Sequence, residues 1–355
     1  AIALQKYLRN LGYYVELLNF EPPQIVLNSI KKETFLEKVC KQPYKYKERW
    51  ILQKHKSDIE EKHKKMDKII QKECVLSDKI CTKEDYIDIC NKFDLLICGS
   101  DQIWNPNLYH KYYFADFADI ITPIISYAPS FGVNTVRKEV IEDLKHSLKR
   151  FQFITVREKQ GAKIVEELIG KNPPVVMDPT FLLDSVEWKS LTNKKDKEKP
   201  YVLCYFLSDN KKHWEAVNRF TKKYNLDLYV IPQHYYSYIQ KGEIFCKAGV
   251  EDFLDLISDA SYVLTDSFHG TVFSLIFNKQ FYTFERFKDD SFSSQNSRII
   301  NLLDSLSLMK RLNIFNSVEI KEQEMIDYNF VNKKLNQIIN ESKDILNKGL
   351  QYGKK

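Results

Sequence analysis

The sequence predicts an α/β protein with two Rossmann-like halves that face a cleft, and three features support this prediction. Short apolar runs alternate with helical segments along the chain, which is the order expected of parallel strands covered by helices. Several runs, such as FDLLIC at 93–98, are almost continuous in apolar residues, as in strands buried on both faces. A charged stretch without apolar residues, TNKKDKEKP at 192–200, separates two series of this kind.

The first half is predicted to span residues 1–191. It begins with a helix at 1–11, ended by Gly12, and a strand at 14–19. Because the chain opens inside a helix, we expect a first strand to precede it. A polar, lysine-rich and mostly helical stretch follows at 30–92, with Pro43 as an interruption. The remaining predicted elements are strands at 93–98, 124–127, 153–156 and 175–177 and helices at 137–150 and 160–168.

The second half is predicted to span residues 200–312. Residues 313–355 are expected to form helical structure that packs back on the first half, including a long helix at 327–350. The predicted strands of the second half lie at 201–207, 228–231, 261–265 and 281–284, and its helices at 213–224, 250–258, 271–277 and 296–310.

Composition excludes some classes of protein and leaves two interpretations of the charge. With 43% hydrophobic residues the chain is globular rather than disordered, and no apolar run is long enough to span a membrane. The net charge of +6 comes largely from lysine-rich helices, which predicts either a solvated surface or weak attraction to anionic lipid or an anionic polymer. No nucleic-acid-binding motif is recognisable, so nucleic acid is not an expected partner.

The seven cysteines favour a reducing compartment and indicate no metal site. Their number is odd and none forms a C-x-x-C pair. Cys98 and Cys204 fall in strand-like runs, where cysteine behaves as a small apolar residue. With no signal peptide recognisable, we expect a cytoplasmic protein that contacts at most the inner face of the membrane, peripherally.

The strongest candidate site follows the predicted strand at 261–265. Open α/β sheets bind ligands at the carboxyl ends of their strands, where the N–H groups of the next helix favour an anion. The loop TDSFHG at 265–270 supplies a carboxylate from Asp266, a hydroxyl from Ser267 and an imidazole from His269. His269 is the predicted general acid and base, because histidine titrates near neutrality. The alternative is a buried histidine held by backbone groups.

Further candidates lie at the starts of predicted helices and after another strand. Gly270 is expected to let a ligand approach the backbone, and Thr271 to begin the next helix. Arg298, in SSQNSRI at 293–299, is predicted to lie at a second anion-binding helix start, the alternative being a solvated helix residue. His234 follows the strand at 228–231 among tyrosines, where packing fits as well as catalysis.

Polar residues and a tryptophan follow the predicted strand at 93–98. In GSDQIWNP at 99–106, Asp101 and Gln102 are predicted to hold sugar hydroxyls while Trp104 covers an apolar sugar face. The alternative is an Asx turn that caps a helix after the strand. The other two members of the predicted binding cluster are Ser100 and Asn105.

Arg157 comes directly after the predicted strand at 153–156. A guanidinium at a strand end can clamp a carboxylate or phosphate through two hydrogen bonds. An ion pair with Glu158 or another surface acid is an equally good interpretation.

Together, these loops resemble the polysaccharide pyruvyl transferase family. The opening IALQKYLRNLGYYVELLNF also resembles the family's first helix and second strand. The resemblance covers residues 1 to about 310 and rests on the set of motifs, since each alone is weak. In the family's order the motifs are GSDQIWNP (99–106), SYAPSFG (126–132), VREKQGA (156–162), MDPTFLL (177–183), TDSFHG (265–270) and SSQNSRI (293–299).

The resemblance implies a GT-B-like fold, with the acceptor on the side of the first half and the donor on the side of the second. It implies transfer of a pyruvyl group from phosphoenolpyruvate to a sugar, as a ketal, without a cofactor or metal. In the family, an arginine of the VRE-type motif and an Arg-x-His motif are associated with the anionic donor. Arg157 matches the first and His269 the histidine of the second, but Ser267 stands where an arginine often does. Arg298 is the predicted replacement.

Ketal formation gives these residues predicted tasks. Phosphoenolpyruvate needs fixed cations and N–H donors, which Arg157, Arg298 and the helix start at Thr271 are expected to supply. His269 is expected to move protons between the sugar hydroxyls and C3 of the donor, with Asp101 or Asp266 orienting the acceptor or the imidazole.

The expected acceptor is a sugar or a lipid-linked oligosaccharide of a bacterial surface polysaccharide. Two alternatives stay open at this point. One is a GT-B glycosyltransferase that uses a nucleotide sugar, because a fold alone does not decide function. The other is a non-catalytic glycan-binding protein, with Ser267 as the trace of a lost donor site.

Overall fold

The computed structural model describes residues 1–20, 35–192, 199–288 and 296–354. The strands are β1 (Leu17–Phe20), β2 (Leu76–Ile80), β3 (Leu96–Cys98), β4 (Ile124–Ser126), β5 (Tyr201–Tyr205), β6 (Asp227–Val230), β7 (Glu243–Ile244), β8 (Tyr262–Thr265), β9 (Gln280–Phe284) and β10 (Leu312–Asn313). The α-helices are α1 (Ile2–Asn10), α2 (Phe35–Lys54), α3 (Lys56–Glu73), α4 (Lys83–Cys90), α5 (Ile141–Lys149), α6 (Lys159–Ile169), α7 (Ser185–Lys189), α8 (Lys211–Tyr224), α9 (Tyr235–Tyr238), α10 (Val250–Asp259), α11 (Phe268–Ile276), α12 (Asn296–Ser305) and α13 (Tyr328–Leu350). Short 3-10 helices lie at Gln102–Trp104, Pro106–Leu108, Lys111–Phe114, Lys138–Val140, Pro179–Leu182, Met309–Arg311 and Gln351–Lys354.

The second half contains a six-stranded parallel sheet in the order β10-β9-β8-β5-β6-β7. The central strand β5 is apolar on both faces because helices cover both. Leu203 packs in a cluster with residues of α10 and α11, whereas Val202 and Cys204 pack in a second cluster with residues of α8. This explains why the strand has no alternation of polar and apolar residues.

The side of the sheet on which the chain adds its strands changes between β5 and β8. After β5 the chain builds β6 and β7 on one side, then crosses back to build β8, β9 and β10 on the other. Connections therefore leave the carboxyl ends of β5 and β8 in opposite directions, and the crevice between them is where open parallel sheets bind ligands. The backbone N–H of Leu207, after β5, donates to the Asp266 carboxylate, after β8, at 2.5 Å.

The first half has shorter parallel pairs, β1 with β2 and β3 with β4. Isolated parallel bridges extend the second pair, from Ile125 to Phe153 and from Val156 to Val175. A cavity of about 920 Å³ lies between the two pairs and is lined by residues of β1, β2 and β3. The core of this half is largely aromatic, with the Trp104 ring stacked on Phe114 at 5.4 Å.

The α/β class with parallel sheets is confirmed, while several predicted boundaries are wrong. The helix predicted at 271–277 is α11, which begins at Phe268, so most of the predicted polar loop is its first turn. Pro43 lies inside α2 and does not interrupt it. The lysine-rich stretch also contains a strand, β2, which the helical interpretation missed. Residues 193–198 of the predicted linker and 293–295 of SSQNSRI lie outside the described residues.

The last helix, α13, packs on the first half. The Ser342 hydroxyl accepts a hydrogen bond from the Met177 backbone N–H at 3.0 Å. Leu346 and Leu350 share a buried cluster with Ile125 and Tyr127. In the described parts of the chain, every helix is too short or too polar to cross a membrane.

Candidate functional site

A cavity of about 110 Å³ opens at the switch point between β5 and β8. The first half contributes the 3-10 turn after β3. The second half contributes the ends of β5, β8 and β9 and the start of α12. The lining residues are Asp101, Gln102, Leu207, Asp266, Ser267, Phe268, His269, Arg286, Phe287, Asn296, Arg298 and Ile299.

The start of α11 is fixed by contacts within the fold. Ser267 is the N-cap, and its hydroxyl accepts a hydrogen bond from the Gly270 N–H at 3.3 Å. Thr271 is fully buried, and its hydroxyl lies 2.8 Å from that of Thr283 on β9. A Cβ on Gly270 would lie 2.4 Å from the Thr265 hydroxyl, so glycine allows helix and strand to approach. Close packing of α11 on β8 thus accounts for the glycine at 270, the ligand approach there stays a prediction, and the Thr271 side chain faces the fold.

His269 is placed by this turn at the wall of the cavity. Its Nε2 lies 3.8 Å from Oδ2 of Asp178, and its side chain is 38% exposed. Burial lowers the pKa of His269, and the positive charges of Arg157 and Arg298 lower it further, while Asp178 and Asp101 partly offset this. Protein surrounds the ring on most sides, but one side is open to the cavity. The imidazole is therefore neutral at neutral pH and able to accept a proton from a bound molecule.

Asp178 is a site residue that the sequence-based list of candidates missed. It follows the short bridge at Val175 and is almost fully buried, with Nη2 of Arg157 at 3.0 Å from Oδ2. Burial alone raises the pKa of Asp178, but Arg157, His269 and hydrogen bonds from Thr180 outweigh burial and lower that pKa to about 2. Its signal was present in the motif MDPTFLL, at the end of a predicted strand.

Arg157 and Arg298 converge on one carboxylate oxygen. Nη1 of each lies 3.3 Å from Oδ1 of Asp101. Both guanidinium groups also lie over the Phe268 ring, at 5.1 Å for Arg157 and 5.6 Å for Arg298. The two arginine side chains are buried, 2% and 7% exposed, whereas the Asp101 side chain is 59% exposed. Two buried cations thus share the exposed carboxylate of Asp101 at the cavity wall.

Arg286 is a third cation at the cavity, and sequence reasoning did not find it. It follows β9, a strand whose carboxyl end was left out of the sequence-based inventory. Burial lowers its pKa, while the nearby carboxylates of Asp266 and Asp101 raise it. A guanidinium remains charged at neutral pH.

Asp266 and Glu158 have structural contacts in place of their predicted ones. The Asp266 carboxylate accepts hydrogen bonds from the Leu207 N–H and from the backbone and hydroxyl of Ser208. It therefore ties the ends of β5 and β8 together, which is a positioning role unlike the predicted one. Glu158, an expected partner of Arg157, accepts hydrogen bonds from the Ser130 hydroxyl and the Phe131 N–H, both at 3.0 Å.

Only part of the predicted sugar-binding cluster after β3 lines the cavity. Gln102 lines the cavity, and its Oε1 accepts a hydrogen bond from the Asn105 side chain at 3.0 Å. Asn105 is buried and caps a 3-10 helix, and Ser100 is half-buried outside the cavity lining. Trp104 is fully buried in the aromatic core, so its predicted role as a sugar platform is wrong.

His234 lies away from the cavity. Its Nδ1 lies 3.8 Å from the Glu48 carboxylate on α2. A group with metal-ligand spacing, His55, Asp58 and Cys246, is present among the described residues, and none of its members lines the cavity.

Comparison with known proteins gives a family over most of the chain. Residues 1–286 match the model of the family described as polysaccharide pyruvyl transferase. No characterised protein sequence matches the chain at a significant level.

Solved structures give distant matches. The MnaA–UDP structure from S. aureus is 13% identical, with a TM-score of 0.44, covering 77% of this chain and 78% of that one. The UDP-GlcNAc 2-epimerase from Neisseria meningitidis bound to UDP-GlcNAc is 9% identical, with a TM-score of 0.43, covering 78% and 89%. The same enzyme from Methanocaldococcus jannaschii is 11% identical, with a TM-score of 0.43, covering 74% and 77%.

Proposed function

Because the chain belongs to the polysaccharide pyruvyl transferase family, we propose that it transfers the pyruvyl group of phosphoenolpyruvate to a sugar of a bacterial surface polysaccharide or its precursor. The product is a pyruvate ketal across two hydroxyls. One observation carries the proposal. Two buried guanidinium groups, of Arg157 and Arg298, meet at the Asp101 carboxylate, which lines a cavity at the switch point of the sheet together with His269.

The arginines fit the charge of the donor. Phosphoenolpyruvate carries a carboxylate and a phosphate, and guanidinium groups bind both through paired hydrogen bonds. In the free protein the Asp101 carboxylate occupies the place between Arg157 and Arg298. An anionic group of the donor takes this place on binding and releases Asp101 toward solvent and the acceptor. Arg286, which also lines the cavity, adds a third positive charge.

His269 fits the proton transfers of the reaction. C2 of the donor becomes electrophilic as C3 gains a proton, so the first sugar hydroxyl adds to C2 while its proton passes through the His269 imidazole to C3. The C2–O bond to the sugar and the C3–H bond of the new methyl group form together, which balances the first addition. The C2–O bond to phosphate then breaks, the second hydroxyl closes the ketal, and its proton leaves through the imidazole. Asp178 holds a negative charge beside the ring and stabilises its protonated form.

Phosphate release from phosphoenolpyruvate, measured with a panel of sugar acceptors, tests this function. We expect release that depends on the acceptor and a product that carries one pyruvyl ketal by mass spectrometry. His269→Ala is the negative control. Binding of a nucleoside diphosphate sugar with transfer of that sugar would instead make the protein a glycosyltransferase. Glycan binding with no phosphate release from any acceptor would make it a non-catalytic binding protein.

A further inference from the structure

We propose that the outer face of α2 docks on the surface of an anionic lipid bilayer. Two aromatic side chains lie on this face, Tyr46 at 64% and Trp50 at 63% exposure. The two residues are four positions apart on the helix, so their side chains project side by side from one face. Tyrosine and tryptophan are enriched where proteins meet the membrane–water interface, because their rings are apolar and carry a polar edge.

Basic residues flank the two rings. Lys47, Arg49 and Lys54 are exposed, and the Lys54 ammonium lies 5.7 Å from the centre of the Trp50 ring. At 100° per residue, Arg49 lies on one side of the aromatic pair while Lys47 and Lys54 lie on the other. This arrangement of aromatic centre and basic margins is typical of helices that lie in the plane of a membrane surface.

Acidic residues are kept off this face. Residues 44–57 contain five lysines or arginines and a single acid, Glu48. Glu48 points the other way, where it pairs with His234 at 3.8 Å. Over the described residues 44–54 the outer face of α2 therefore carries basic and no acidic side chains, which complements the negative charge of phosphatidylglycerol or similar lipids.

The inner face of α2 already has its partner within the chain. Tyr44 packs edge-on against Tyr235 at 5.8 Å, and Ile51 is buried. Tyr235 belongs to α9, which follows β6 at the carboxyl edge of the large sheet. The cavity described above opens at that same edge, so a bilayer on α2 lies on the cavity's side of the sheet. The docking proposal itself is independent of the reaction, since none of its residues lines the cavity.

Tryptophan fluorescence tests the proposal on the whole chain. The other tryptophans, Trp104, Trp188 and Trp214, are each at most 4% exposed, so any blue shift on adding vesicles reports Trp50. We expect a shift with vesicles of phosphatidylcholine and phosphatidylglycerol, and a weaker one in high salt. No shift with these vesicles, or an equal shift with phosphatidylcholine alone, would overturn the proposal.

Variants distinguish binding through this face from non-specific adsorption to vesicles. Each basic residue near an anionic surface contributes about fivefold in binding, so Lys47→Gln with Lys54→Gln should weaken vesicle partitioning about 30-fold. Tyr46→Ser with Trp50→Ser should also release the protein from sedimenting vesicles. The matched control is Phe330→Ser, because Phe330 is 52% exposed and has Lys334 at 5.0 Å, the same pair on another surface. An equal loss in the control would refute the assignment, and circular dichroism checks that each variant is folded.

Discussion

Replacing Asp101 with asparagine should strengthen donor binding while weakening catalysis. The asparagine keeps the size of the side chain and removes the charge that lies 3.3 Å from both Arg157 and Arg298. By Coulomb's law in water each pair is worth about 1.3 kcal/mol, and exposed pairs measure 0.2–1 kcal/mol. Because Asp101 is 59% exposed, about 0.5–1 kcal/mol per pair is appropriate. The donor no longer has to break two ion pairs that together contribute about 1–2 kcal/mol, so its Kd should fall about 5- to 30-fold.

Isothermal titration of phosphoenolpyruvate into both proteins measures this change directly. A thermal melt gives a second readout. Without ligand, the variant should unfold at a lower temperature, because two buried guanidinium groups have lost a shared carboxylate. With donor, it should gain more stability than the parent protein, because binding is tighter. Turnover should fall, because the proposed reaction assigns the released Asp101 carboxylate the task of orienting the acceptor.

The control is Asp304→Asn, since Asp304 is similarly exposed, at 62%, and pairs with Lys159 at 3.7 Å outside the cavity lining. This change should leave the donor Kd unaltered. An unchanged or higher Kd in Asp101→Asn would show that the donor does not bind between Arg157 and Arg298. A tighter Kd that persists when Arg298 is also replaced would place the gain elsewhere.

Five further outcomes test the site and the fold. His269→Gln should lower kcat by about 10²- to 10⁴-fold with a nearly unchanged donor Kd. In the parent protein the acid limb of kcat/KM should lie below the ordinary histidine pKa, because the pKa of His269 is lowered and the neutral ring is the base. Asp178 has its pKa lowered from 3.8 to about 2, so it should stabilise the fold by about 2 kcal/mol above pH 4. That contribution should vanish as the pH falls to 2, and the free energy of unfolding of Asp178→Asn should lack this step. Arg298→Ala should raise the donor Kd about 10- to 100-fold, since a charged hydrogen bond contributes about 1.5–3 kcal/mol. Trp104→Ala should destabilise the fold by about 3–5 kcal/mol in a urea titration, while Trp104→Phe should leave the acceptor KM unchanged, as a core residue predicts.

The sequence predicted the parts of the fold that repeat a simple rule. Apolar runs of strand length gave β5, β8 and β9, because strands covered on both faces have no polar side. The edge strands β7 and β10, of two residues each, were missed because so short an element has no periodicity to read. The start of α11 was placed too late because Ser267 was considered as a ligand group instead of an N-cap.

The site was predictable where function depends on strand ends and unpredictable where it depends on distance. Arg157 and His269 are candidates from the sequence because each follows a predicted strand; in the structure Arg157 follows an isolated bridge at Val156, and His269 lies in the first turn of α11 after β8. The sharing of Asp101 between Arg157 and Arg298 joins positions almost 200 residues apart, which local patterns do not encode. The prediction for Trp104 is wrong because a loop with a polar sequence can still direct one of its side chains into the hydrophobic core.

On the proposed function, Arg298 supplies the positive charge that an arginine at position 267 would otherwise supply. A serine N-cap contributes about 1 kcal/mol to the start of a helix, and an arginine at that position has no oxygen to accept the Gly270 N–H. The second guanidinium comes instead from α12. The Phe268 ring and the Asp101 carboxylate hold it beside that of Arg157. Binding of an anion depends on the position of the guanidinium in space, whichever helix carries the arginine. The serine at 267 is therefore compatible with an intact donor site, because the cation missing from one motif is present in space.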